Sequence, residues 1–234
     1  MAPRVTTRAA LIAVTVVGFA VILGCAVVAG ELLGVAERPD GSTAVDSSIT
    51  AWVVAHRAQW LTGAARVLST LGSQAFLGPV VGIVTAGLVG RRRFVLAGLL
   101  VAVWGGAIGL YSLTKHFVHR MRPPADLWLT KVTSTSFPSG HATQSVATFL
   151  ALVFVGAVWL PKARWPGRAI AFALAIGVGW SRVYLGVHWA TDVGAGWLIA
   201  VAWITVAAWL ARTARSIEQR PRWLPSPRSG SPDP

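Results

Sequence analysis

The sequence predicts an all-α fold, a polytopic membrane helix bundle of six transmembrane helices with an amphipathic helix on its outer side. The first observation is the composition: 54% of the residues are hydrophobic and only 12% are charged. A soluble domain carries about 25% charged residues. The second observation is clustering: the apolar residues form runs long enough, or nearly so, for a hydrocarbon core that takes roughly 20 residues to cross.

The predicted spans follow from these runs in chain order. They lie near residues 9–34, 75–90, 94–113, 142–160, 168–184 and 189–211. The second and fifth are short and rich in glycine, so their ends are the least defined. The first is too long for a typical signal-peptide core and is predicted to be a retained span.

Three regions follow from this pattern. Residues 1–8 are predicted to be a cytoplasmic N-terminus, and 9–211 to form one membrane domain. Residues 212–234 are basic and rich in Pro and Ser, so they are predicted to be a disordered cytoplasmic tail.

A polar segment at 35–48 separates the first span from an amphipathic pattern. Asp46 or Ser47 is a candidate cap for the helix that follows. One helix lying along the outer surface is predicted, because apolar or aromatic side chains recur at helical spacing at Ile49, Val53, His56, Trp60, Ala64, Val67 and Leu71.

The formal net charge of +13 is interpreted as membrane topology. With a cytoplasmic N-terminus, more than half of the Lys and Arg residues fall on the cytoplasmic side, including the short loops at 91–93 and 162–168. This is the positive-inside pattern for an even number of spans. The sequence therefore predicts a multi-pass protein of the plasma (cell) membrane with both termini cytoplasmic. Membrane lipids are the expected partners and nucleic acid is not, while the oligomeric state is not predicted.

Polar residues at the opposite, outer ends of the spans are the candidates for function. The first cluster runs from Lys115 to Pro124. Lys115 and Arg122 are seven residues apart and would share a face if both lay on a helix, which Pro123 and Pro124 would end. Taken alone, the cluster also suits a basic flank whose side chains reach the interface.

The second cluster is Pro138-Ser139-Gly140-His141, at the start of the fourth predicted span. A helix N-terminus presents unpaired N–H groups and a positive dipole end, so it can bind an anion. Gly140 would let an anion approach the backbone, and His141 would point into that site. The alternative is a simple helix cap by Ser139.

The third cluster runs from Trp180 to Asp192. His188 and Asp192 are four residues apart, which places them side by side on one helical turn. A carboxylate bonded to one imidazole nitrogen leaves the other nitrogen free as a base or nucleophile. The alternative is a structural ion pair between Asp192 and Arg182.

Together these clusters predict chemistry on a phosphate group. Three fixed cations, Lys115, Arg122 and Arg182, and the helix start at Ser139 and Gly140 suit a phosphate dianion and its transition state. One histidine can attack phosphorus and the other can protonate the leaving alkoxide. No pattern of metal ligands occurs among these residues, so neither a metal nor another cofactor is predicted.

The same residues resemble the three signature motifs of the type 2 phosphatidic acid phosphatase (PAP2) superfamily. Order and spacing agree for Lys115-x6-Arg122-Pro123, then Pro138-Ser139-Gly140-His141, then Ser181-Arg182-x5-His188-x3-Asp192. The resemblance implies an integral-membrane lipid phosphatase. The short connection between the first two motifs, together with the six spans, separates it from the soluble acid phosphatases and haloperoxidases of that superfamily.

The resemblance also implies a role for each residue. His188 would be the nucleophile that forms a phosphohistidine, Asp192 would orient it, and His141 would be the general acid. The phosphate oxygens would be held by Lys115, Arg122, Ser139, Gly140 and Arg182. His116 and His119 match no signature position and are predicted to have no catalytic role.

The implied substrate is a lipid phosphate or diphosphate whose headgroup reaches the outer interface. Polyprenyl diphosphate such as undecaprenyl diphosphate, phosphatidic acid and phosphatidylglycerol phosphate all remain candidates, with a slight preference for polyprenyl diphosphate. Two alternatives would use the same pocket. One is a phosphotransferase, and the other is a lipid-phosphate-binding membrane protein without hydrolytic activity.

Overall fold

The computed structural model describes residues 3–35 and 39–218, and the regular structure within these ranges is helical throughout. The predicted all-α class is thereby confirmed. The helices are α1 (Pro3–Val35), α2 (Ala44–Ala55), α3 (Gln59–Leu71), α4 (Gln74–Gly90), α5 (Phe94–Phe117), α6 (Gly140–Gly156), α7 (Arg164–Tyr184) and α8 (Ala190–Glu218). Short 3-10 turns lie at Ala125–Leu127 and Pro161–Ala163.

Every predicted span coincides with one of these helices, namely α1 and α4 to α8. By length and hydropathy, the described residues contain 3 helices able to cross a membrane, α1, α5 and α8. The count rises to 4 if α3 and α4, which meet at a 44° bend, form one broken span. The protein is therefore a membrane protein, whereas six crossings remain a prediction.

Helix α6 is the centre of the bundle, because it packs against α5, α7 and α8. All eight of its residues from Ala142 to Phe149 are buried. The core around it is closely packed and apolar, with Leu100 and Leu110 of α5, Val178 of α7 and Ala200 of α8 fully buried. This packing fixes the ends of four helices relative to one another, and the predicted site residues lie at those ends.

The prediction of one amphipathic helix through 49–71 is wrong. Two helices, α2 and α3, occupy this stretch and are separated at His56–Ala58. The cap is also different, because Thr43 is the N-cap of α2 and Asp46 lies three residues later as its capping-box partner. The side chain of Thr43 accepts from the Asp46 backbone N–H, and the Asp46 carboxylate accepts in return from the Thr43 N–H.

Contacts from distant segments explain the break between α2 and α3. The Ala58 N–H donates to the hydroxyl of Tyr184 at 2.9 Å, and that hydroxyl donates back to the Ala58 carbonyl at 3.0 Å. Arg57 donates to the carbonyls of Leu127 and Tyr184. The Ala58 backbone groups at the break are thus satisfied by Tyr184 of α7, and the Arg57 side chain ties the break to the loop before α6. The local apolar pattern reveals neither contact.

The C-terminal boundary differs from the predicted one. Helix α8 extends to Glu218, past the predicted start of the tail at 212. The rest of the predicted disordered tail, 219–234, lies outside the described residues.

Candidate active site

The predicted site residues converge at one end of the bundle. Lys115 lies in the last turn of α5 and Arg182 in the last turn of α7. Ser139 is the N-cap of α6, and Asp192 lies in the first turn of α8. Two helix ends bearing cations thus meet two helix starts, where unpaired N–H groups favour an anion.

Arg122 does not share a helix with Lys115, contrary to the expected common helical face. Helix α5 ends at Phe117 and Val118 is already extended, so Arg122 lies in the following loop. The two cations nevertheless meet on the same segment. Lys115 Nζ donates to the carbonyls of Thr135 and Ser136, and Arg122 donates to those of Ser134 and Thr135. Both cations are therefore held by backbone carbonyls of the segment just before α6.

The start of α6 is a capped helix N-terminus, as in the alternative of a simple cap by Ser139. Ser139 accepts the Ala142 N–H through its side chain, and its own N–H donates to the Asp192 carbonyl at 3.0 Å. Gly140 is buried beside the ring of Tyr111, where an added Cβ would lie only 3.0 Å from that ring. His141 follows at the first turn and is half-buried. The helix start is thus fixed against α8 by a backbone hydrogen bond.

His188 and Asp192 form the predicted pair, although His188 precedes α8 instead of lying on its first turn. His188 Nδ1 lies 3.4 Å from Asp192 Oδ2. The same Oδ2 accepts the Trp189 N–H at 2.9 Å and the hydroxyl of Ser136. Asp192 therefore caps the start of its own helix while it faces the imidazole, which fixes the carboxylate in place.

The other imidazole nitrogen of His188 faces a cation. Its Nε2 lies 3.2 Å from Arg122 Nη1, which has only hydrogens to donate. Nε2 therefore carries the lone pair, and Nδ1 carries the proton toward Asp192. Complete burial lowers the pKa of His188 well below its usual value, and the charges of Arg122, Lys115 and Arg182 lower it further. The ring is thus a neutral imidazole with its lone pair directed at the cations.

The remaining cation, Arg182, is buried at 4% exposure and donates to the hydroxyl of Ser69 on α3. The alternative ion pair between Arg182 and Asp192 is not the arrangement found, since Asp192 pairs with Arg120. Burial lowers the pKa of Arg122 to about 10, so this cation stays charged at neutral pH. The cations whose charges act on the His141 ring are Arg182, Arg122 and Lys115.

Sequence reasoning missed Arg120, Asp46 and Ser136. Arg120 is 5% exposed and donates to Asp192 Oδ1 at 2.6 Å and to Asp46 Oδ2 at 2.8 Å. Burial alone would lower its pKa, but the two carboxylates together raise it. An arginine on the side expected to be poor in positive charge was the available signal, but Arg120 lies within the variable stretch of the first motif and received no role.

Among the residues that the structure describes, no three His, Cys, Asp or Glu side chains are grouped so as to hold a metal ion. The donor groups at the site are mostly cations, which suit an anion. His116 and His119 are exposed and stay predicted as non-catalytic.

Comparison with known proteins identifies the class. The family model described as "PAP2 superfamily" matches residues 94–216. Phosphatidylglycerophosphatase B of Bacillus subtilis is 31% identical over 73% of this chain and 85% of its own length. An undecaprenyl-diphosphatase of Sulfolobus acidocaldarius is 34% identical over 62% of this chain and 68% of its own length.

Solved structures show the same fold. The crystal structure of a transmembrane PAP2-type phosphatidylglycerolphosphate phosphatase from Bacillus subtilis matches with a TM-score of 0.70 and 27% identity. That match covers 86% of this chain and 98% of the other. Aquifex aeolicus LpxE matches with a TM-score of 0.59 at 23% identity, over 71% of this chain and 97% of the other, which is a likeness of fold.

The chain belongs to the PAP2 superfamily, and it is a membrane-embedded enzyme of the PAP2-type phosphatases, the phosphoric monoester hydrolases. The resemblance stated from its motifs is thereby confirmed.

Proposed function

We propose that this protein removes phosphate from a lipid phosphate or diphosphate without a metal ion, through a phosphohistidine on His188. The observation that carries the proposal is the position of His188, between Asp192 at Nδ1 and Arg122 at Nε2. A histidine that only stabilised the fold would not need its second nitrogen directed into a group of cations. A nucleophile needs this arrangement, because the cations bring the phosphorus to the lone pair.

The first chemical step follows from these contacts. A phosphate dianion bound between Lys115, Arg122, Arg182 and the start of α6 presents phosphorus to His188 Nε2. The P–N bond forms as the P–O bond to the leaving group breaks, and that group is the lipid alcohol for a monophosphate and the lipid monophosphate for a diphosphate. The bound dianion offsets the cations around His141, so its ring can carry the proton that it donates to the departing oxygen. Asp192 stabilises the positive charge that develops on the His188 ring.

The second step hydrolyses the phosphohistidine. The neutral His141 accepts a proton from a water molecule as that water attacks phosphorus. The P–N bond breaks, inorganic phosphate leaves, and His188 returns to its neutral form. If an alcohol takes the place of water, the same step becomes the phosphotransferase reaction that the sequence left open.

Location is part of the proposal. Six spans with both termini in the cytoplasm would place the ends of α5 and α7, and the starts of α6 and α8, at the outer face of the plasma membrane. A headgroup in the outer leaflet would then reach the cations while its chains stay in the lipid. Polyprenyl diphosphate is the preferred substrate, with phosphatidylglycerol phosphate and phosphatidic acid next. The names of the relatives, phosphatidylglycerophosphatase and undecaprenyl-diphosphatase, support this set.

The test is phosphate release by the purified protein in detergent with a chelator present. Each of the three lipids is offered to the wild type and to His188→Ala. We expect release that survives the chelator and is lost in the variant. Release that persists in a folded His188→Ala protein would contradict the nucleophile assignment, and release that requires added metal would contradict the metal-free mechanism. Phosphorylated alcohol in place of free phosphate would indicate a transferase.

A further inference from the structure

The buried arginine of the first motif connects the active site to a helix outside the family match. Arg120 Nη1 donates to Asp192 Oδ1 at 2.6 Å, and Arg120 Nη2 donates to Asp46 Oδ2 at 2.8 Å. The family model covers 94–216, so it includes Arg120 and Asp192 but not Asp46, which lies on α2. A buried row of alternating charge thus runs from α2 to the nucleophile.

We propose that Arg120 and Asp46 are positioning residues for catalysis, which hold Asp192 in the orientation that His188 requires. The inference rests on the proposed function in one respect, namely that Asp192 serves His188 as nucleophile.

The two carboxylate oxygens of Asp192 have different hydrogen-bond partners. Oδ1 accepts from Arg120, whereas Oδ2 accepts from the Trp189 N–H and the Ser136 hydroxyl and faces His188. With Oδ1 held by a guanidinium, the carboxylate cannot rotate without breaking a charge-assisted bond. The oxygen that faces the imidazole is therefore fixed by the arginine behind it.

Asp46 fixes the arginine in turn. Its Oδ1 accepts the backbone N–H of Thr191 at 3.0 Å, and the Thr191 hydroxyl lies 2.9 Å from Oδ2. That hydroxyl also accepts from Arg120 Nη1 at 2.7 Å. Arg120 further donates to the Gly41 carbonyl. Asp46 thus contacts both the guanidinium and the residue just before Asp192, which ties α2 to the first turn of α8.

Charge explains why two carboxylates share one arginine. Asp46, Asp192 and Arg120 are at most 5% exposed, and removing one member of a buried set leaves an uncompensated charge. Asp46 also offsets part of the positive charge of Arg120, so Asp192 keeps enough negative charge to stabilise a cationic His188. The network therefore sets the electrostatics of the dyad as well as its geometry.

Other charged groups also act on the His188 imidazole, and the variants of the test should leave them unchanged. The charged groups that act on His188 are Arg122 and Lys115 from the first motif, Arg182 from α7 and Asp192 from α8. Arg120 contacts Asp192 at Oδ1, the oxygen that does not face His188, and Asp46 contacts Arg120 and Thr191. Changing them should therefore alter the dyad without removing a substrate contact.

The experiment measures kcat, KM and the pH profile of kcat/KM for Asp46→Asn, Arg120→Gln and Arg120→Lys, with the full chain in detergent. We expect kcat to fall about 10- to 100-fold, the usual range for a group that orients a catalytic ligand, with KM changed less than about threefold. The acidic limb of kcat/KM should move to higher pH in Arg120→Gln, because a positive charge is lost. It should move to lower pH in Asp46→Asn, because a negative charge is lost. In Arg120→Lys the limb should stay, since the charge is kept.

Arg57→Gln is the matched control, because Arg57 also joins distant segments, by donating to the carbonyls of Leu127 and Tyr184. We expect it to change stability and leave the pH limb in place. If Arg120→Gln does not fold, Asp46→Asn and Arg120→Lys, which keep size or charge, decide the question. Unchanged kcat in these two folded variants would overturn the inference, as would an acidic limb that stays fixed in Asp46→Asn while only stability falls.

The two proposals fail in different ways. If His188→Ala abolishes activity but Asp46→Asn and Arg120→Lys leave kcat unchanged, the proposed function stands and the positioning role of Arg120 and Asp46 is refuted. Activity that survives His188→Ala refutes the proposed function itself.

Discussion

Arg122 Nη1 lies 3.2 Å from Nε2 of His188, so the cation that would hold the phosphate also holds the lone pair that would attack it. In the free enzyme this contact keeps the imidazole neutral. When a phosphate binds, its oxygens can replace Nε2 as the acceptor for the guanidinium, and the lone pair is then released toward phosphorus. In the proposed mechanism, Arg122 would therefore keep the nucleophile unprotonated in the free enzyme and bind the phosphate of the substrate.

The pH dependence follows from this contact. Burial and the three nearby cations lower the pKa of His188, so its unprotonated, reactive form persists below pH 6.5. We predict that His188 imposes no loss of kcat/KM until well into the acidic range. Removal of one cation in Arg122→Gln should raise that pKa and move the acidic limb upward by about one pH unit or more. The measurement is a pH profile of initial rates under subsaturating substrate.

Arg122→Lys provides the control, because it keeps the charge but loses the planar fork of donors. Its rate should fall while the acidic limb stays near that of the wild type. A limb that does not move in Arg122→Gln would show that this cation does not act on the titrating group.

Sequence spacing was sufficient for His188 and Asp192. They are close in the chain, and a separation of four residues brings them together whether or not His188 is helical. Spacing was not sufficient for Lys115 and Arg122 of the first motif. Arg122 was assigned to the helix because two prolines suggested a later end, whereas the chain is already extended at Val118.

The parts of the site that the sequence did not reveal depend on long-range contacts. Asp46 meets Arg120 across 74 residues, and no local periodicity encodes such a meeting. The break between α2 and α3 is similar, because the hydroxyl of Tyr184, 126 residues from Ala58, satisfies the freed backbone. Helix positions came from hydrophobic runs, which record where the chain prefers lipid and not which helix ends meet.

The role of His141 predicts a dependence on the leaving group. A lipid alkoxide needs a proton as it departs, whereas the phenolate of p-nitrophenyl phosphate does not. We predict that His141→Gln lowers the rate about 10²- to 10⁴-fold on phosphatidic acid, the usual contribution of a general acid, and far less for formation of p-nitrophenolate. Initial burst amplitudes with the second substrate would report the phosphohistidine, which should accumulate because water is no longer activated.

His188→Ala is the reference for that comparison, since loss of the nucleophile should abolish both reactions equally. Equal losses on the two substrates in His141→Gln would instead assign His141 to phosphate binding.

Topology predicts the side on which the site lies. Helix α5 has 24 residues, a length of about 36 Å at 1.5 Å per residue, which is sufficient to cross the hydrocarbon core. Its two ends should therefore face opposite compartments. A reporter fused after Arg93 should read cytoplasmic, and one fused near Asp126 should read outside. The opposite assignment of both reporters would place the site in the cytoplasm and change the available lipid pool.

Close approach of α8 to α6 gives a prediction for stability with a control on the same helix. Gly196 faces the start of α6, where an added Cβ would lie 2.8 Å from the Ser139 carbonyl oxygen and 2.9 Å from Thr143 Oγ1. Gly194 has nothing within 4 Å of the corresponding position. Gly196→Ala should therefore push the two helices apart and cost about 1–3 kcal/mol, as overpacking does.

Gly196→Ala should also lose activity, and the loss should be larger than its reduced stability alone would cause. Ser139 is tied to the Asp192 carbonyl by its N–H, so a shift of α8 moves the anion-binding helix start relative to the dyad. A displacement near 1 Å costs about 10²-fold in rate. Gly194→Ala should be neutral or raise stability by up to about 1 kcal/mol, because alanine is the better helix former. Thermal midpoints and phosphate release in the same detergent measure both effects. Equal behaviour of the two variants would mean that contact between α6 and α8 does not set the geometry of the site.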